Sequence, residues 1–226
     1  MLAAVGRDRK PLLRKVIETW LDAGVDELIV VLGRDASGIR EGTGDFSYAA
    51  AADAAADSRK SGGRTAVVKG ALRAPLRGRR PLTTGVRPIS PVFIKNPGWR
   101  TGMFSSVQVG LAATSARSTH VALSPADLPF LSRESLRKVI SAAASLDAGG
   151  ASLVVPTHGG RRGHPLLIPA ALRARVLSWP DSARLNQLFE EPDVTVHHLE
   201  GFDETILRDV DTPSDLIVPR PPSPSF

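Results

Sequence analysis

Apolar positions follow two rhythms along this chain. Leu12, Leu13, Val16, Ile17, Trp20 and Leu21 recur at helical spacing, and Gly24 follows as a stop. Glu27 to Leu32 (ELIVVL) is then an apolar run ending at Gly33, the pattern of a strand buried on both faces. PVFIKN, HVALS and SLVVP are further short apolar runs and predict strands. Between the first two, Ser105 to Thr114 predicts a helix that Ser105 or Ser106 could cap. Ser132 opens another, with Leu136, Val139 and Ile140 on one face. HPLLIP reads as extended, and Pro169 stands where a helix start tolerates proline. VTVHHL and TILRDV predict late strands, and Thr212-Pro213 opens a terminal helix.

Such alternation implies an α/β domain, a mostly parallel sheet with helices on both faces. In these sheets ligands bind beyond the carboxyl ends of the strands. Asp127, the NPGWRTG loop and the THGGRRGHP loop each follow a predicted strand directly, which places them on one edge. The rhythm fails between Ala36 and Ser90. That stretch is rich in Ala, Gly, Ser, Arg and Pro, and it reads as a disordered basic insertion. The expected organisation is therefore one domain over residues 1–218 interrupted at 36–90, with a proline-rich disordered tail at 219–226.

Composition changes the picture in two places. The formal charge of +6 suggests a polyanion partner. Yet twelve basic and no acidic residues fall between Asp57 and Asp127, so the excess is local, and the remainder is net acidic. A basic stretch without interleaved aromatics argues against specific nucleic-acid binding. There is no cysteine, which excludes disulfides and thiolate metal sites. No apolar run could span a bilayer, and MLAAVGRDRK is too short in its apolar part for a signal peptide. A cytoplasmic protein without membrane partners is the expectation.

Candidate chemistry begins with two acidic clusters. Asp127 lies in SPADLP, and Asp209 and Asp211 alternate in RDVDTP, so on a strand both project from one face. Three hard oxygen ligands suit Mg²⁺, which takes few carboxylates and keeps waters or substrate phosphates. Such a centre serves phosphoryl and nucleotidyl transfer. The alternative is that Asp211 only precedes a helix start and Asp127 only turns a loop. In NPGWRTGMFSS, free N–H groups at a helix start could hold an anion. In HGGRRGHP, Gly159, Gly160 and Gly163 allow close backbone approach, Arg161 and Arg162 could pair with phosphate, and His164 could donate a hydrogen bond. A capped loop and a basic surface turn are the plainer readings. His197 and His198, adjacent on a strand, face opposite sides and cannot ligate one metal there.

The order NPGWRTGMFSSVQVGL, SPADLPFLS, VVPTHGGRRGHPLLI and LRDVDTPSDL resembles the MobA-like nucleotidyltransferases, with molybdenum cofactor cytidylyltransferases as the closest likeness. LLRKVIETWLDAGVDELIVVLG is similar to that family's first helix and second strand. The resemblance implies a Rossmann-like three-layer domain that joins a nucleoside monophosphate to a phosphorylated acceptor and releases pyrophosphate. It implies Mg²⁺ held by Asp127, Asp209 and Asp211, with Asp127 and Asp211 catalytic. Ser105 and Ser106 fall where the family faces nucleotide or acceptor, and Arg162, Gly163 and His164 fall in the expected acceptor loop. CTP is the implied donor, a molybdopterin-type cofactor the implied acceptor, and a molybdoenzyme under maturation a possible partner.

One departure stands at the N-terminus. The family opens with a strand and a glycine-rich loop that cradles the triphosphate. Here MLAAVGRDRKPLL occupies that place. Either the start is truncated, or Leu2-Ala3-Ala4 is a strand remnant and Arg7, Arg9 or Lys10 reaches the phosphates. The alternative function is a catalytically silent binding or regulatory domain of the same fold. Its expected signature is weak CTP binding with acceptor binding retained.

Overall fold

A computed structural model of the chain describes residues 4–5, 10–43, 66–72, 90–143, 145–146 and 150–216. Its first elements are two short strands, β1 (Ala4–Val5) and β2 (Lys10–Pro11). They pair antiparallel with each other, apart from the main sheet. Of the proposed strand remnant only Ala4 is described, and it belongs to this hairpin. Arg7 and Arg9 lie outside the described residues.

The helical rhythm becomes α1 (Leu12–Ala23), which buries Leu13, Val16, Ile17, Trp20 and Ala23. Gly24 ends it in the left-handed region at φ 89°, its N–H donating to the Leu21 carbonyl at 3.1 Å. β3 (Glu27–Leu32) buries all of its residues after the first. α2 (Ala36–Thr43) and β4 (Ala66–Leu72) follow. β5 (Val92–Lys95), α3 (Met103–Ala113), β6 (His120–Pro125) and α4 (Arg133–Ala143) come next. β7 (Ser152–His158), β8 (Arg161–Arg162), β9 (Leu166–Pro169), α5 (Arg173–Ser178) and β10 (Thr195–Leu199) complete the regular elements.

The main sheet runs β10-β7-β9-β6-β4-β3-β5, with β8 on β7. β3 and β5 are parallel, as are β7 and β10, whereas β4 and β9 run antiparallel to their neighbours. Following the pairings, β5, β3, β6, β7 and β10 all point one way, and only β4 and β9 are reversed in that path. The sheet is thus mostly parallel in direction, although most neighbouring pairs are antiparallel. Side-chain alternation splits the core between the two faces. Leu28, Val30, Leu32, Ala122, Val154 and Leu167 pack with α1 and α4. Val121, Leu123, Leu153, Val155, Leu166 and Ile168 pack with α3 and α5. The result is a three-layer, Rossmann-like α/β arrangement.

Four expectations are corrected here. Residues 36–43 form α2, and residues 66–72 form β4 in the middle of the sheet rather than part of a disordered insertion. Six-residue pairing with both β3 and β6 satisfies its backbone, which composition alone cannot foresee. Residues 44–65, 73–89 and the tail lie outside the described residues. TILRDV is not a strand: it is a 3₁₀ turn at Glu204–Ile206 followed by irregular chain, so Asp209 and Asp211 do not owe their direction to a pleat. Thr212-Pro213 opens only a 3₁₀ turn, Pro213–Leu216, among the described residues. α3 starts at Met103 behind Gly102, which leaves Ser105 and Ser106 inside the helix rather than capping it.

Ser132 does cap α4: its hydroxyl accepts the Ser135 N–H at 3.0 Å. Ser132→Ala should lower unfolding free energy by about 1 kcal/mol in urea titration. An unchanged midpoint would mean that the cap is replaced by water.

Candidate active site

The carboxyl edge of the sheet gathers four segments. β6 ends at Pro125, and the chain turns through Asp127. Val210 donates its N–H to the Asp127 carbonyl at 2.9 Å, which draws the Asp209–Asp211 segment alongside. Asp127 is half-buried, and its Oδ1 is buried with no hydrogen-bond partner. Burial pushes its carboxyl above the usual range, against a hydrogen bond from its own backbone. The charges of Asp209 and Asp211 push it further up. Asp209 and Asp211 are exposed.

Asp215 shapes this segment. Its Oδ2 accepts from the N–H groups of Asp211 at 3.1 Å and Thr212 at 2.7 Å, and from the Thr212 hydroxyl at 2.8 Å. Those bonds to Thr212 hold its carboxyl below the usual range. Arg208 donates to the Asp215 carbonyl at 3.0 Å. The carboxylate spacing is therefore set by a loop cap and not by a strand.

The second loop is a hairpin. Gly159 and Gly160 take φ 57° and 75°, as a two-residue turn between β7 and β8 requires. Their positive φ is what this turn requires. Arg161 and Arg162 are exposed, and Arg162 stacks on Phe189 at 4.0 Å from the ring centre. Gly163 is buried and donates its N–H to the Pro156 carbonyl at 2.8 Å. A Cβ there would meet the Ile206 carbonyl oxygen and side chain at 2.7 Å, so this glycine serves packing. His164 N–H donates to the Ile206 carbonyl at 2.9 Å, and a cis peptide joins His164 to Pro165. Burial pulls the His164 imidazole down, while a hydrogen bond to the Leu123 backbone and the charge of Asp209 oppose this. Its Nδ1 has no partner. His164 thus lies within electrostatic reach of the acidic segment.

The NPGWRTG loop is organised by Asn96, which the sequence reading missed. Its Oδ1 accepts the Gly98 N–H at 2.9 Å, and its Nδ2 donates to the hydroxyls of Ser105 and Ser106, each at 2.9 Å. Ser105 also donates to the Gly102 carbonyl at 2.8 Å. Both serines are buried and engaged in holding the loop, rather than turned to solvent. An Asn-Pro-Gly sequence after a strand is a turn signal that could have flagged Asn96. Lys10 lies in β2 outside this cluster, and its side chain is not among those described.

Asp127 is therefore within reach of the charges of Asp209 and Asp211, and His164 of that of Asp209, while Ser105, Ser106 and Gly163 are held in contacts of the scaffold. Among the described residues no group of three carboxylate or imidazole side chains closes into a complete metal-binding set. The donors still fit a hard divalent cation. The buried Asp127 oxygen lacks a partner, its carboxyl is crowded by two others, and Mg²⁺-type ions need only one or two protein carboxylates beside phosphate and water.

A model of the MobA-like NTP transferase domain matches residues 2–198. No curated protein matches the sequence. Solved structures share the fold. A nucleotidyl transferase from Methanothermobacter thermautotroptrophicus (Mth528) is 19% identical, with TM-score 0.62 over 95% of this chain and 81% of that one. Rv0371c from Mycobacterium tuberculosis H37Rv is 18% identical, with TM-score 0.60 over 94% of this chain and 85% of that one. It has also been solved as a complex with manganese, at 17% identity and TM-score 0.56 over 94% and 88% of the two chains. The 4-diphosphocytidyl-2C-methyl-D-erythritol synthase from Anaerococcus prevotii DSM 20548 is 16% identical, with TM-score 0.55 over 94% and 84%.

Proposed function

The chain belongs to the MobA-like NTP transferase family, and we propose that it transfers a nucleoside monophosphate from a triphosphate, CTP above others, to a phosphorylated acceptor of the molybdopterin type. The observation that carries this reading is the crowding of Asp127 by Asp209 and Asp211 around a buried oxygen without a partner. A divalent cation bound there would neutralise charge developing on the phosphoryl group. Asp127 and Asp211 would hold it, with Asp209 beside them. The Val210–Asp127 bond keeps the two acidic segments in register, so little reorganisation is needed on binding. Arg162 and His164 face the acceptor in this reading, and Lys10 reaches the donor phosphates. No covalent intermediate is needed. Among the described residues no helix is long and apolar enough to cross a membrane, which is consistent with a cytoplasmic site of action. Delivery of the product to a molybdoenzyme would follow from this acceptor.

The second reading is a silent binding domain. It is favoured by the open carboxylate arrangement and by the β1–β2 hairpin, which pairs outside the main sheet. Incubation with Mg²⁺ or Mn²⁺, a phosphorylated pterin and each of CTP, GTP and ATP decides between them. Pyrophosphate release with CTP fastest is the expected result. Release with another nucleotide corrects the donor. Acceptor binding by calorimetry without any release selects the silent domain.

A further inference from the structure

Two cations converge on Phe130, and neither stands out in the sequence. Lys15 Nζ lies 5.4 Å from the ring centre and the Arg208 guanidinium 4.2 Å from it. The three groups come from α1, from the loop after β6 and from the chain after the 3₁₀ turn at Glu204–Ile206. The charges are therefore within about 10 Å of one another, roughly one Debye length at 0.1 M salt. Nothing acidic offsets Lys15: among the described residues it makes no ion pair, whereas its neighbour Arg14 is paired with Glu18 at 3.0 Å. Burial alone lowers the Lys15 pKa, the opposite of what a carboxylate partner would do. Arg208 donates to the Asp215 carbonyl at 3.0 Å, and its charge helps hold the Asp215 carboxyl down.

The position of this pair matters. Phe130 is three residues beyond Asp127, and Arg208 directly precedes Asp209. Through its chain neighbours the seat is tied to both acidic segments, Arg208 to Asp209 and Phe130 to the turn that carries Asp127. Cations to hold phosphate oxygens next to acids that hold a divalent ion is the charge pattern a polyphosphate requires. The aromatic ring fixes both long side chains, so less side-chain freedom is lost when the anion arrives.

We propose that Lys15 and Arg208, seated on Phe130, bind the polyphosphate of the donor or the released pyrophosphate. This assignment rests on the nucleotidyl-transfer reading for its place in a reaction, but its test does not. Calorimetry with inorganic pyrophosphate and tripolyphosphate, in the presence of Mn²⁺, should show binding to the unmodified chain. Lys15→Met should weaken both about tenfold or more, Lys15→Arg should retain most of the affinity, and Phe130→Leu should fall between. CMP, which has no polyphosphate, should bind all four alike. Arg137→Met, on the outer face of α4, should match the unmodified chain. Equal pyrophosphate affinity in Lys15→Met and the unmodified chain, or no pyrophosphate binding by the latter, overturns the seat. Lys15-dependent pyrophosphate binding without nucleotidyl transfer from any triphosphate leaves the seat standing and removes the transferase reading.

Discussion

Replacing Asp127 by asparagine should make the protein more stable while removing metal-dependent turnover. The carboxyl is pushed up by burial and by Asp209 and Asp211, so ionising it disfavours the folded state. The sign follows from its raised value. Below the ordinary carboxylate value of 3.8 both folded and unfolded forms are protonated, and the group contributes no difference. As pH rises through the elevated folded value, the penalty of the charge grows to its full size. At neutral pH Asp127→Asn should therefore gain from a few tenths to about 1 kcal/mol, the lower figure reflecting partial exposure to water. That corresponds to roughly 1–3 °C in melting temperature. At pH values below 3.8 the gain should vanish. In the proposed reaction turnover should fall on the order of 100-fold. Melting scans at several pH values, run beside a pyrophosphate assay, check both halves. A variant that melts lower at neutral pH and keeps its activity would remove Asp127 from the site.

Gly163→Ala should be the most damaging alanine substitution among the described glycines. Its Cβ would stand 2.7 Å from the Ile206 carbonyl oxygen and from two side-chain carbons. The carbonyl cannot retreat freely, because it accepts the His164 N–H at 2.9 Å. Overpacking of this kind costs about 1–3 kcal/mol. The strain also has a direction. Ile206 leads through Arg208 to Asp209, so pushing the turn outward moves the acidic segment away from Asp127. Turnover should then fall even at temperatures where the variant remains folded. Ile206→Ala in the same chain removes the side-chain clash and leaves the carbonyl, but it empties a fully buried site at about 2–5 kcal/mol, so its effect is read against the Ile206→Ala single variant. Strictly additive effects of the two changes, or a Gly163→Ala variant of unchanged melting temperature and rate, would show that the two loops are not mechanically linked.

These expectations depend on contacts of very different legibility. α1, β3, β5, β6, β7 and β9 could be read directly, because each carries its own apolar period and its own stop. Ser132 could be read as a helix start from its place ahead of an apolar face, and its hydroxyl turns out to be the cap. Ser105 and Ser106 were misread because a helix start is set by backbone geometry at Gly102, two or three residues away, and by Asn96 across the loop. The packing of Gly163 on Ile206 could not be read for a related reason: a glycine that allows ligand approach and one that allows close packing look alike until the neighbour is known. The stretch after Ala36 was misread in part because β4 derives its order from two flanking strands rather than from a hydrophobic pattern of its own.

By itself the sequence determined the α/β class, the helices that clothe the sheet, the edge on which its loops gather and the acidic residues that stand there. Such features follow from local periodicity and from the fixed direction of strand and helix. Only the tertiary structure decided the reversed strand between β3 and β6, the clasp of Val210 on Asp127, the cap of Asp215 on Asp211, and the meeting of Lys15 and Arg208 on Phe130. Apart from the Asp215 cap, each joins segments far apart along the chain. Their partners are selected by packing and by backbone hydrogen bonds that must be satisfied within the fold, and no local pattern of residue types encodes that choice.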